Sequence, residues 1–235
     1  MSTSRVPASV PPHPAPQPAG PQPLSARLRE ATRPAHRAAE QAGAMGALLR
    51  GRLEAARYAR LLRALHAVYA ALESALARHA AHPAIAPLDA APLARAHAAA
   101  RDLDALRAEG IVDPIAGLPR AALDYVARLR ALEAGAPHLL AAHAYVRYLG
   151  DLSGGQVLAP IVERAYRLAP GAATRLYDFG PREAVARRAQ ALRAALDALP
   201  LGDEGLEAIV AEAIDAFGRH VRLFEEIEAG DRAGA

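Results

Sequence analysis

From Leu53 to His79 the chain runs without a glycine or a proline, and Tyr58, Leu61, Leu62, Leu65, Val68, Tyr69, Leu72 and Leu76 recur at helical spacing throughout. An apolar stripe kept for about seven turns has to be covered along its whole length. Other helices must do the covering, because nothing in the chain alternates apolar and polar residues with period two for long enough to seed a sheet. No unit repeats at fixed spacing either. About a quarter of the 235 residues are Ala and only 4% are aromatic, a composition that favours helix over strand. The expectation is an all-α, single-domain bundle of about seven helices.

Gly and Pro punctuate the remainder. A first helix is expected from about Ser25, as its N-cap, to Gly43, with Leu28, Ala31, Ala35 and Ala39 on one narrow face. HPAIAP closes the long second helix. Further helices are expected at about Leu93–Glu109, Arg120–Leu132, His138–Arg167, Pro181–Leu199 and Asp203–Glu228, with GIVDPIAGLP, AGAP and PLG among the breaks. Ahead of the body, which spans 24–228, the segment 1–23 contains VPASVPPHPAPQPAGPQP and reads as a disordered or polyproline-like tail. Residues 229–235 read as a flexible C-terminal tail.

Several function classes are excluded at this level. There is no Cys, hence no disulfide, thiolate metal site, iron–sulfur cluster or cysteine nucleophile. Lys is absent, so all 28 basic side chains are Arg; they are interspersed with acids to a net charge of +3, which does not indicate nucleic-acid binding. Every apolar run is interrupted well before the ~18 residues of a membrane span. The N-terminus lacks the apolar stretch of a signal peptide, and cytoplasmic residence is expected. No GxGxxG or P-loop is present.

The least expected local sequence is AYVRYLGDLSGGQVLAPIVERAY, from Ala144 to Tyr166. Its flanks have helical period, yet it carries Gly150, Gly154 and Gly155, each costing about 0.8–1 kcal/mol relative to Ala inside a helix. Gly150 and Gly154 share a face, which strips that side to backbone. Either another helix packs very closely there or the backbone lies against a flat ligand. In the first helix, His36 and Glu40 stand at i and i+4, so the carboxylate can meet the imidazole Nδ1–H and leave Nε2 for a metal. The plainer reading of that pair is a solvated helix face. Arg33 and Arg29 lie about one and two turns before His36, within reach of anionic groups on a bound cofactor.

LREATRPAHRAAEQ followed by YLGDLSGGQ resembles the heme oxygenase family in its biliverdin-producing, bacterial form. ALHAVYAALE at 64–73, LLAAHAYVRYLGDLSGGQVL at 139–158 and AFGRHVRLFEEIE at 216–228 follow in the family's order, so the resemblance covers about Leu24 to Glu228. It implies heme b, as both cofactor and substrate, sandwiched between the first helix and the glycine-rich one, with His36 ligating the iron and Glu40 behind it. Gly150 and Gly154 would be the backbone lying over the porphyrin. Asp151 would act through ordered water, with Tyr69 and Arg147 in the same hydrogen-bond network, to deliver protons during attack on a meso carbon. Arg29, Tyr145 and Arg193 would hold the propionates, with Arg33 peripheral. The implied reaction converts heme to biliverdin, carbon monoxide and ferrous iron with O2, and an external donor such as a ferredoxin or a flavoprotein reductase supplies electrons.

Two positions depart from the family pattern. Ala189 stands where a basic residue is usual one turn before Arg193, and Arg187 or Arg188 is a possible substitute. His220 stands at a network position where mammalian-type members carry an amide, and is read first as a hydrogen-bonding replacement. His66 and His143 read as packed or surface residues; His13, His79, His82, His97 and His138 lie at helix ends, on polar faces or in the tail. A non-catalytic heme carrier or sensor is the alternative. A di-iron relative is not supported, because no Glu is followed three residues later by His.

Overall fold

A computed structural model describes residues 22–230, and all regular structure among them is helical. The elements are α1 (Leu24–Gln41), α2 (Gly43–Leu49), α3 (Ala55–Arg78), α4 (Ala96–Ala108), α5 (Arg120–Gly135), α6 (Leu140–Ala144), α7 (Gly150–Tyr166), α8 (Arg182–Asp197) and α9 (Asp203–Ala229). A π-helical stretch, Tyr145–Leu149, joins α6 to α7, so 140–166 is one bent run. Each expected helix has its counterpart, and α2 is an addition. Residues 1–21 of the Pro-rich segment and 231–235 of the C-terminal tail lie outside the described residues.

α3 and α9 form the centre. The eight stripe residues of α3 are all buried, and α4, α5 and α6 pack against that helix. α9 runs beside α1, α2, α5 and α6, burying Ile209, Ala213, Ala216, Phe217, Leu223, Phe224 and Ile227. Gly43 brings α2 this close to α9. Its φ is +29°, and a Cβ there would lie 2.2 Å from the Phe224 carbonyl oxygen. The glycine expected to end the first helix therefore admits a helix crossing.

Helix starts here are not capped locally. The residues preceding α1, α3, α4, α5, α8 and α9 are Pro23, Glu54, Arg95, Pro119, Pro181 and Gly202, none with a side-chain cap. Carboxylates from other helices do the work at three of these starts. Asp197, ending α8, accepts the Ser25 N–H at 2.7 Å and its hydroxyl at 2.9 Å. Glu73 of α3 accepts the N–H groups of Arg95 and Ala96, and Glu226 of α9 those of Arg120 and Ala121. Ser25 is thus inside α1, held by Asp197, and is not the N-cap the sequence suggested.

Candidate functional site

A cleft of about 840 Å³ separates α1 from the π-helical stretch and the start of α7, with α8 and α9 contributing Arg193 and Phe217. On the α1 wall His36 is half-exposed, its Nδ1 3.5 Å from Glu40 Oε2 and its ring edge-on to Phe217 at 5.5 Å between centroids. Arg29, Arg33 and Arg37 follow at i, i+4 and i+8 along that wall, and Arg193 faces them from α8. Among the described residues none of these four guanidiniums has a carboxylate within 4 Å. They form a cationic rim suited to an anionic ligand.

The opposite wall, lined by Tyr145, Val146, Leu149, Gly150 and Ser153, is stripped to backbone at its glycine. A Cβ built at Gly150 or Gly154 would meet nothing within 4 Å, whereas one at Gly155 would lie 2.8 Å from the Tyr177 carbonyl oxygen. Of the two readings of the glycine cluster, close packing holds at Gly155 alone. Gly155 is there for close packing; Gly150, which lines the cleft, and Gly154 one turn on have no packing partner to explain them. A flat group entering beside α1 would lie against that stripe.

The π-helical stretch sets the side chains behind this wall. Val146, Arg147, Tyr148 and Leu149 are all buried in succession; Val146 and Leu149 line the cleft with Tyr145, and Arg147 and Tyr148 lie behind it. The Thr32 hydroxyl donates to the Leu28 carbonyl at 2.7 Å, so the Tyr145 hydroxyl, 3.3 Å away, is the donor in the Thr32–Tyr145 contact. Arg147 is 8% exposed and is not the surface arginine its place in a helix permitted. Its Nε and Nη2 donate to the Tyr69 hydroxyl at 3.1 and 2.6 Å, Nη2 to Asp151 Oδ1 at 2.8 Å, and Nη1 to His220 Nε2 at 3.0 Å. Asp151 Oδ2 is buried with no protein partner. Burial pushes the Asp151 carboxyl well above the usual carboxylate range, with the Arg147 guanidinium opposing. His220 is 2% exposed and is pushed well below the usual histidine range, first by burial and then by the Arg147 charge. It is therefore neutral, and with both ring nitrogens engaged it has neither a free lone pair for iron nor a titration near neutral pH.

The candidates fall into two groups, apart from Gly154, which does not line the cleft. His36, Glu40, Arg29, Arg33, Tyr145, Gly150 and Arg193 line the cleft; Asp151, Tyr69 and Arg147 form the buried cluster directly behind Gly150. Ala189 is buried, and neither suggested substitute replaces a cation there. Arg188 donates to the Phe179 carbonyl, and Arg187 does not line the cleft. Arg37, Thr32, Val146, Leu149 and Phe217 are cleft residues that sequence reasoning missed. For Arg37 the signal was available, one turn beyond Arg29 and Arg33; Phe217 comes from a distant helix.

A family model described as heme oxygenase matches residues 22–226. The heme oxygenase of Porphyra purpurea is 36% identical over 209 residues, covering 88% of this chain and 87% of that protein. Heme oxygenase 1 of Synechocystis is 35% identical over 205 residues, covering 87% and 85%. Among solved structures, heme oxygenase from Leptospira interrogans superposes with a TM-score of 0.80 at 36% identity, covering 87% of this chain and 99% of that one. Heme oxygenase-1 from Synechocystis in complex with heme gives 0.79 at 33% identity, covering 88% and 93%. With the match running through both cleft walls and the buried cluster behind them, the chain belongs to the heme oxygenase family.

Proposed function

We propose that the cleft takes heme and that the chain oxidises it to biliverdin, releasing carbon monoxide and ferrous iron. The observation that carries this reading is the pair Gly150 and Gly154, which spend helix stability on a face where no protein atom sits. Bare backbone fits a flat macrocycle, His36 is a neutral ligand for its iron on the facing wall, and the unpaired guanidiniums fit its carboxylates. When bound, heme supplies both the iron that activates O2 and the carbon that is attacked.

The chain's own residues do the rest. His36 would hold the iron, with Glu40 Oε2 3.5 Å from its Nδ1 one turn along the same helix face to orient the ring. Arg29, Arg193 and the Tyr145 hydroxyl would hold the propionates, with Arg33 and Arg37 adding charge from α1. A carboxyl raised by burial exchanges its proton nearer neutral pH, so Asp151 is suited to hold and pass protons through water at its free Oδ2. Arg147, tied to Tyr69, keeps Oδ1 fixed while this happens. Gly150 and Gly154 leave room beside the backbone, with no acid–base side chain there to force early bond cleavage.

Electrons come from an external donor, a ferredoxin or flavoprotein reductase, meeting the arginine rim at the cleft mouth. No helix among the described residues is long and apolar enough to cross a membrane, and we place the enzyme in the cytoplasm with 24–228 as its catalytic unit. Hemin titration followed by reductant and O2 tests the reading. A Soret band of a His-ligated complex, lost in His36→Ala, and stoichiometric biliverdin are expected. Stable binding without conversion would show a heme carrier or sensor instead.

A further inference from the structure

Arg147 is a planar fork, and three acceptors on three different helices aim it: Tyr69 on α3, Asp151 on α7 and His220 on α9. The third acceptor exists only in one tautomer of His220. Its Nδ1 lies 2.8 Å from the Ala216 carbonyl oxygen, which can only accept, so Nδ1 carries the proton and Nε2 presents a lone pair to Arg147. The opposite tautomer would set an N–H against a guanidinium N–H.

A second buried group holds the ring in place. Tyr125 meets the His220 ring edge to face, with centroids 5.0 Å apart and planes at 88°. The Tyr125 hydroxyl is 3.0 Å from His143 Nδ1, and His143 Nε2 is 3.0 Å from Glu212 Oε1. Burial alone would raise the Glu212 carboxyl, but hydrogen bonds from His143 and Arg128 outweigh it and bring it down to about 2. An ionised Glu212 only accepts, so His143 donates from Nε2 and receives the Tyr125 proton at Nδ1. The two buried histidines therefore hold opposite tautomers, and every donor between Arg128 and Asp151 has a defined direction. Nothing in the proposed chemistry uses Tyr125, His143 or Glu212.

We infer that His220 is a positioning residue that aims Arg147 at Asp151, and that the Tyr125–His143–Glu212 brace fixes the ring pose this requires. The inference rests on the heme-degrading reading only for its consequence in turnover; the tautomer and the brace are properties of the ligand-free protein. With the third acceptor gone, Arg147 pivots about Tyr69, and Asp151 Oδ1 loses its fixed partner. Heme seating, governed by the other wall, is untouched.

Two-bond 15N–1H correlation spectra of the 15N-histidine-labelled full chain, without heme, test the first step. His220 is expected with its proton on Nδ1; a proton on Nε2 overturns the inference. His143→Leu cuts the brace without touching His220 and is expected to split the His220 signal between tautomers, whereas an unchanged signal removes the brace from the proposal. In turnover, His220→Phe keeps the ring shape but not the acceptor, and is expected to retain hemin affinity within about threefold while biliverdin yield falls about tenfold. His220→Gln, whose amide oxygen reaches the place of Nε2, is expected to restore the yield. Wild-type yield from His220→Phe, or no recovery in His220→Gln, overturns the positioning role. A wild-type protein that binds hemin without making biliverdin defeats the heme-degrading reading and leaves the tautomer result standing.

Discussion

The two sides of α7 use the same residue type for opposite ends. On one side Gly155 lets the Tyr177 backbone come within packing distance; on the other, Gly150 and Gly154 face open space. A glycine that admits a neighbour adds to stability in proportion to what it lets pack, while a glycine that faces a cleft costs stability in the free protein. The packed side serves the fold, whereas the bare side serves no packing in the free protein.

Substitutions separate the two. The largest expected effect is functional and lies next to the bare side: Asp151→Asn retains hemin affinity but lowers biliverdin formation about a hundredfold or more, read as bilin absorbance per hemin consumed. Normal yield from that variant would remove Asp151 from the proton path. Next comes acid sensitivity of the core away from α7, where Glu212 ties α9 to α6 and α5. Its carboxyl falls from 4.5 to about 2 on folding, so its contribution, about 3 kcal/mol, is complete above pH 4.5 and is lost as pH drops towards 2. Urea midpoints of the wild type should fall across that window and those of Glu212→Gln should be flatter. Gly155→Ala then costs about 1–3 kcal/mol, because the obstructing atoms are backbone. The smallest effect has the opposite sign: Gly150→Ala stabilises the ligand-free protein by up to about 1 kcal/mol and weakens hemin binding. If both alanine variants move stability in the same direction, the two sides of α7 do not differ as described.

Long apolar stripes made α3 and α9 legible before any coordinates, since their period survives over many turns and tertiary context only fills in the partners. α2 was not legible. GAMGALL has no stripe, and its leading Gly43 imitates a helix stop while serving the contact with Phe224. The π-helical stretch was hidden too, because Tyr145–Leu149 keeps helical composition and the wider turn is imposed by burying four consecutive side chains. Of the site, His36, Gly150 and Asp151 could be read from local spacing and motif, whereas the Tyr125–His143–Glu212 brace joins three helices and leaves no mark in any one of them. Ser25 shows the same limit at a helix start, where the group that matters, Asp197, is on the far end of α8.

That bond between Ser25 and Asp197 has a mechanical consequence. It fastens the start of α1 to the end of α8, so the helix bearing His36 and the helix bearing Arg193 are pinned at one end of the cleft. Both ends of α1 are therefore tied, the first to α8 through Asp197 and the last, through Gly43 and α2, to α9.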